Sequence, residues 1–152
     1  MPSQPPTLDS LDGGIGKRAS PLSPVPANRY SKGAVFRAEL RRFLRRSESC
    51  ARQHGLTPRQ YLLLLQIGGA EGSTTTVSEL VSILALSQSA ITELVQRAES
   101  AGLVRRTPSS SDGRVSELTL TPLGAEKLAI VHDALGPERA ELRRVMDQLE
   151  EA

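Results

Sequence analysis

The sequence predicts a mainly helical domain carrying one small β-hairpin, on three observations. Capping boxes stand just ahead of apolar segments at helical spacing, Thr57 to Gln60 and Thr76 to Glu79. Past Gly102 the apolar period shortens to two, over Leu103–Arg106 and Ser116–Leu120, with the turn pair Asp112-Gly113 between them. Of the 152 residues 38% are hydrophobic, only 3% are aromatic and none is Trp, so the single modest core they allow is built from Leu, Val, Ile and Ala.

The elements follow in order. Residues 1–27 hold six prolines among Ser and Gly with no apolar period, and are expected to be a disordered arm ahead of a domain spanning 28–152. From about Ser31 a helix of some twenty residues is expected, with Phe36, Leu40, Phe43, Leu44, Ser47 and Ala51 as its buried stripe. Arg37, Arg41 and Arg45 line another face, with Arg42 and Arg46 beside them, and like charges four apart cost helix stability. Something acidic can offset that cost: a phosphate backbone, a partner subunit or the acidic half of this chain. Gly55 ends the helix and Thr57-Pro58-Arg59-Gln60 opens the next, whose Tyr61, Leu62, Leu63, Leu64, Leu65 and Ile67 are apolar nearly all round and belong in the core. Gly68 and Gly69 stop it.

Thr76-Val77-Ser78-Glu79 then opens a short helix that turns Val77, Leu80, Val81 and Leu84 inward. After Ala85-Leu86-Ser87 a further helix runs from Gln88 to about Ala101, capped by Ser87 and stopped by Gly102. The hairpin spans about 103–120 around a polar tip from Thr107 to Arg114. Thr121-Pro122 opens a last helical region over 121–151, with Leu128, Val131, Leu135, Leu142, Val145 and Leu149 in one stripe broken at Gly136-Pro137. Helix, helix, helix–turn–helix (about 76–101), hairpin, helix: that order is a winged helix.

Composition narrows the function. The longest apolar run, Tyr61–Ile67, is far short of the roughly 20 residues of a membrane helix, and no signal peptide is visible in the first thirty residues, so a cytoplasmic protein without a membrane is expected. The lone Cys50 excludes an internal disulfide framework and a Cys-rich zinc site, and His54 and His132 are too scattered for a metal. There is no Gly-rich phosphate loop, no nucleophile elbow and no Cys/His/acid set at plausible spacing, so neither enzyme nor cofactor is expected. Charge is segregated: residues 1–59 carry +7 and residues 60–152 carry −5, and sixteen of the nineteen cations are Arg, the side chain suited to bidentate phosphate contact. Such a balance permits nucleic-acid binding.

In a helix–turn–helix the second helix enters the major groove. With Ile91, Leu94, Val95 and Ala98 facing the core, Gln88, Ser89, Thr92, Glu93, Gln96, Arg97 and Ser100 face outward. Gln pairs with adenine, and the Thr92 methyl suits thymine. The structural alternative is an ordinary solvated face. On the hairpin, Arg105 and Arg106 lie on the first strand and Arg114 at the tip, where one arginine suits a narrow minor groove. Asp112 is placed to orient Arg114 or Arg106, or the pair is a routine surface contact.

Gly55-Leu56-Thr57-Pro58-Arg59-Gln60-Tyr61, Val77-Ser78-Glu79-Leu80, the run Ser87 to Arg106, Asp112-Gly113-Arg114 and Leu118-Thr119-Leu120-Thr121-Pro122-Leu123-Gly124 together resemble MarR-type transcriptional regulators over roughly residues 35–150. The resemblance implies a homodimeric winged-helix repressor of a palindromic operator in double-stranded DNA, with N- and C-terminal dimerisation helices. It also implies release by a small, often phenolic effector or a thiol oxidant. By position, Gln88, Ser89, Ala90, Thr92, Glu93 and Arg97 fall on that family's recognition-helix contacts, and Asp112 and Arg114 on its wing motif. Two departures stand out: Glu93 replaces a basic or neutral polar residue, and the tail after Leu120 is shorter than in many relatives.

The candidate effector pocket comprises Phe36, Leu40, Phe43, Tyr61 and Leu65, which are otherwise plain core. Cys50 has two readings, a redox-sensing thiol flanked by Arg46 and Arg52 or a small packed residue. A winged-helix module that binds protein without operator recognition is the alternative to DNA regulation, and the two differ at Gln88, Thr92, Arg97 and Arg114.

Overall fold

In the computed structural model, residues 29–150 are described, so the arm expected over 1–27 lies outside the described residues. Helix α1 (Ser31–Gln53) packs lengthwise against the last helix and, near its C-terminus, against α2 (Pro58–Gly69). A Schellman motif ends α1: the Leu56 N–H reaches the Ala51 carbonyl at 2.9 Å and the Gly55 N–H reaches Arg52 at 3.1 Å, with Gly55 at φ +77°. Of the stripe expected to be inward, Ser47 and Ala51 are buried and Phe36, Leu40 and Phe43 half-buried, but Leu44 is 50% exposed.

The predicted capping box of α2 is formed, with Gln60 N–H to Thr57 Oγ1 at 3.1 Å and Thr57 N–H to Gln60 Oε1 at 3.0 Å. Tyr61, Leu63, Leu64 and Ile67 are buried, while Leu62 is 43% exposed toward a cleft described below. Helices α3 (Val77–Leu84) and α4 (Gln88–Ser100) turn through 115°, within the range of a helix–turn–helix. Ala85, left-handed at φ +52°, makes the turn, and Ser87 caps α4 by accepting from the Ala90 N–H. A second Schellman motif ends α4, with Leu103 N–H to Ala98 O and Gly102 N–H to Glu99 O, both 2.9 Å, and Gly102 at φ +71°.

The hairpin is one part of a three-stranded antiparallel sheet ordered β1-β3-β2, made of β1 (Thr75–Thr76), β2 (Val104–Pro108) and β3 (Ser116–Leu120). Val104 faces Leu120 and Pro108 faces Ser116, while Thr75 pairs with Leu118 and Thr76 with Glu117. The two-residue β1 was not expected from the sequence: it is too short to show a period. It joins sheet to helix, because the buried Thr75 hydroxyl donates to Glu79 Oε2 at 2.7 Å and the Thr76 N–H donates to the same oxygen at 3.1 Å. Both bonds hold the Glu79 carboxyl below the usual glutamate range, the Thr75 hydroxyl most of all.

The last region is two helices, α5 (Pro122–Ala134) and α6 (Gly136–Glu150), with Pro137 in the first turn of α6, where its missing N–H costs nothing. Arg46 donates to Glu138 Oε1 from Nη2 at 3.1 Å and Nε at 3.3 Å, tying α1 to α6. The core between these elements is aliphatic, including Leu63, Leu64, Ile67, Leu80, Ile91, Val95 and Leu118. The architecture is the winged helix that the order of elements predicts.

Candidate nucleic-acid interface

Helix α4 is placed by its apolar side: Ile91, Leu94, Val95 and Ala98 are buried as expected. The opposite side leaves Gln88, Ser89, Glu93, Gln96 and Arg97 exposed and Ala90 and Thr92 half-buried. No acid stands in its first turn, so the partial positive charge of the helix N-terminus is unopposed there. Thr92 Oγ1 donates to the Gln88 carbonyl at 2.8 Å, which occupies the hydroxyl and leaves the methyl as its free group. Glu93 Oε1 accepts from Arg97 Nη2 at 2.5 Å, one turn apart, so the cation of this face is tethered to the residue that departs from the resembled pattern.

The hairpin tip is a set of short local bonds. Ser109 N–H reaches the Val115 carbonyl at 2.8 Å, Val115 N–H reaches Asp112 O at 3.0 Å, and the Arg114 N–H donates to Asp112 Oδ1 at 3.0 Å. Asp112 therefore shapes the turn through the Arg114 backbone and does not orient a guanidinium. Arg105 and Arg114 are exposed. Arg106 is not a free cation of the wing: strand alternation turns it inward, where its Nη2 donates to Glu99 Oε2 of α4 at 3.4 Å, each side chain about one third exposed. That ion pair fastens β2 to α4, so Arg106 is engaged within the domain while Arg105 and Arg114 are exposed.

The five residues read as an effector pocket do not share one cavity in the single chain. Tyr61 is in the core, where burial pushes its phenol above the ordinary range against a lowering influence from Arg139. Phe43 lines a cleft of about 370 Å³ between α1 and α6, and Leu65 one of about 420 Å³ between α2 and α5 with Leu120, Leu128 and His132. Cys50 is half-buried in a third, of about 180 Å³, with Arg46, His54 and Glu138. No group of three His, Cys, Asp or Glu side chains suited to a metal occurs among the described residues, and no single described helix is long and apolar enough to cross a membrane.

Two arginines escaped sequence reasoning. Arg52, from the end of α1, and Arg59, from the first turn of α2, line a cleft of about 640 Å³ together with Arg97 of α4. Their meeting depends on how three helices pack, and no spacing along the chain signals it.

Comparison with known proteins places this geometry. Residues 54–115 match the model of the MarR family. Among solved structures, apo wild-type MarR from E. coli aligns with a TM-score of 0.62 at 24% identity, over 79% of this chain and 84% of that one. A cysteine-to-serine mutant of E. coli MarR complexed with operator DNA aligns with a TM-score of 0.63 at 24% identity, over 78% and 88% of the two chains. AbsC, a MarR family transcriptional regulator from Streptomyces coelicolor, aligns at 0.62 and 26% identity, over 82% of each. No curated protein sequence matches the chain. The neighbours with a stated role are transcriptional regulators and not enzymes.

Proposed function

We propose that the chain is a MarR-type winged-helix protein and acts as a sequence-specific, double-stranded DNA-binding transcriptional regulator of the cytoplasm, a reading supported by the family match over residues 54–115 and by the shared fold. The observation that carries the reading is the outward side of α4. Short polar groups and one arginine project from a helix whose N-terminal charge is unopposed, beside a hairpin with Arg105 and Arg114 exposed. The operator complex of E. coli MarR, a protein of the same fold, supports DNA as the partner. In this reading Gln88, Ser89, Ala90, Thr92, Glu93, Gln96 and Arg97 meet the major groove, Thr92 through its methyl. Arg105 contacts phosphate, and Arg114 enters the minor groove from a tip that Asp112 holds in shape.

The working unit is a homodimer in which α1 and α6 meet their partners, residues 28–152 forming the winged-helix unit. The exposed Val35, Leu44 and Met146 on those two helices supply apolar area for such a contact. Two α4 helices must then lie about one DNA turn, roughly 34–36 Å, apart on a palindromic operator. The protein acts as a repressor, and a small aromatic effector releases it by binding the DNA-incompatible spacing more tightly than the compatible one. Fluorescence anisotropy against the duplex upstream of its own gene, beside a scrambled duplex at near-physiological salt, tests the reading. A preference of at least about a hundredfold is expected. Equal, weak binding to both duplexes refutes operator recognition, and no binding to either refutes DNA binding altogether.

A further inference from the structure

Arg52, Arg59 and Arg97 come from three helices and line one open cleft that adjoins the outward side of α4, with Leu62 and Leu94 as its apolar floor. Two of the three have acidic neighbours one turn away. Arg97 pairs with Glu93, and Arg52 stands 4.0 Å from Glu48, all four side chains at least half exposed. Ion pairs this exposed are weak and yield readily to a stronger anion. Arg59 forms no salt bridge among the described residues. Its backbone N–H is also the donor left over at the start of α2: Pro58 has none, Gln60 N–H is taken by Thr57 Oγ1, and Tyr61 N–H by the Thr57 carbonyl at 3.0 Å.

We infer that this cleft seats backbone phosphates of the DNA strand bordering the groove that α4 enters, with Arg52 and Arg59 as positioning contacts that carry no sequence information. The inference rests on the DNA reading above and extends the interface beyond α4 and the hairpin to the junction of α1 with α2. A polyanion is the fitting occupant. Exposed guanidinium groups hold a lone small anion poorly in water, whereas each phosphate of a duplex that they neutralise releases condensed counterions. All three cations are arginine, whose planar fork matches phosphate oxygens two at a time.

The test is the double variant Arg52→Gln, Arg59→Gln, measured by fluorescence anisotropy on the upstream duplex and on the scrambled duplex between 50 and 300 mM salt, about the range over which phosphate contacts are resolved. Loss of two contacts predicts roughly ten- to thirtyfold weaker binding to both duplexes near 0.15 M salt. The log–log salt slope becomes shallower by about 2. The preference between duplexes is unchanged, because phosphates position and bases specify. Both side chains are exposed, so the helical circular dichroism spectrum should match the parent. Arg52→Lys, Arg59→Lys, which keeps the charges, should restore the slope. A Gln double variant with parental affinity and slope overturns the inference, as does a changed preference at constant slope. If the parent binds neither duplex, the DNA reading itself has failed.

Discussion

Replacing Gly124 by alanine probes the joint that holds the end of α4 in place. Gly124 is buried in the first turn of α5, against the turn that follows α4. A Cβ there would lie 2.0 Å from the Leu103 carbonyl oxygen and 3.0 Å from its carbon, backbone atoms that have no rotamer to escape into. The start of α5 must retreat by about 1 Å to relieve such a contact. That movement strains Thr121 N–H to Leu103 O at 3.1 Å, Gly124 N–H to Thr121 Oγ1 at 3.1 Å, and the Thr121 hydroxyl's bond to the Gly102 carbonyl. Overpacking costs about 1–3 kcal/mol and a weakened cap about 1 more, so a loss of about 3 kcal/mol is expected. For a domain of this size that lowers Tm by about 10 °C. Thermal and urea unfolding followed by far-ultraviolet circular dichroism measures both numbers. A Tm within about 2 °C of the parent refutes the reasoning, since α5 would then be free to shift without disturbing the turn.

Three further outcomes are expected. Glu93→Gln frees Arg97 and removes a carboxylate near phosphates; affinity for the scrambled duplex rises about two- to fivefold while the preference for the upstream duplex falls about tenfold, and an unchanged preference denies Glu93 any part in base reading. Arg114→Ala lowers affinity for the upstream duplex at least about tenfold with Tm unchanged, the loss expected of a minor-groove contact; undiminished binding sinks the wing assignment. Glu79 has its carboxyl held below the ordinary range by the Thr75 hydroxyl and the Thr76 N–H, so its stabilisation is full above the ordinary glutamate value and fades as pH falls through the lowered one. Denaturant titrations from about pH 5 down to pH 3 should therefore show a shallower loss of stability in Glu79→Gln than in the parent, and parallel curves would refute the linkage.

What the sequence made legible is what is written locally. Capping boxes, a Ser cap and the glycines at the two Schellman turns each act within six residues, and the structure forms them where they were read. The buried side of α4 was equally legible, because a 3.6-residue period over thirteen residues admits one apolar face. The features that were not legible depend on partners far along the chain. Leu44 fits the apolar stripe of α1 but is half exposed in the described residues. Arg106 reads as a wing cation until β2 is laid beside α4 and Glu99 comes within 3.4 Å. The convergence of Arg52, Arg59 and Arg97 likewise follows from the packing of three helices.

Taken together, the long-range bonds concentrate where the domain must be stiff. Thr121 and Gly124 join the start of α5 to the Gly102-Leu103 turn at the end of α4. Arg106 to Glu99 joins β2 to α4, and Thr75 with Thr76 joins the sheet to α3 through Glu79. Arg46 to Glu138 joins α1 to α6. We expect a rotation of the α5–α6 end to be carried into α4 and the hairpin as one body, because backbone and side-chain hydrogen bonds at Gly102-Leu103 join the start of α5 to the end of α4. That stiffness is what the proposed release mechanism requires. In the proposed dimer, an effector that alters how the α1–α6 ends of two copies meet would change the distance between two α4 helices without touching either, and Gly124→Ala, which loosens the joint, should uncouple effector from operator before it abolishes the binding of either.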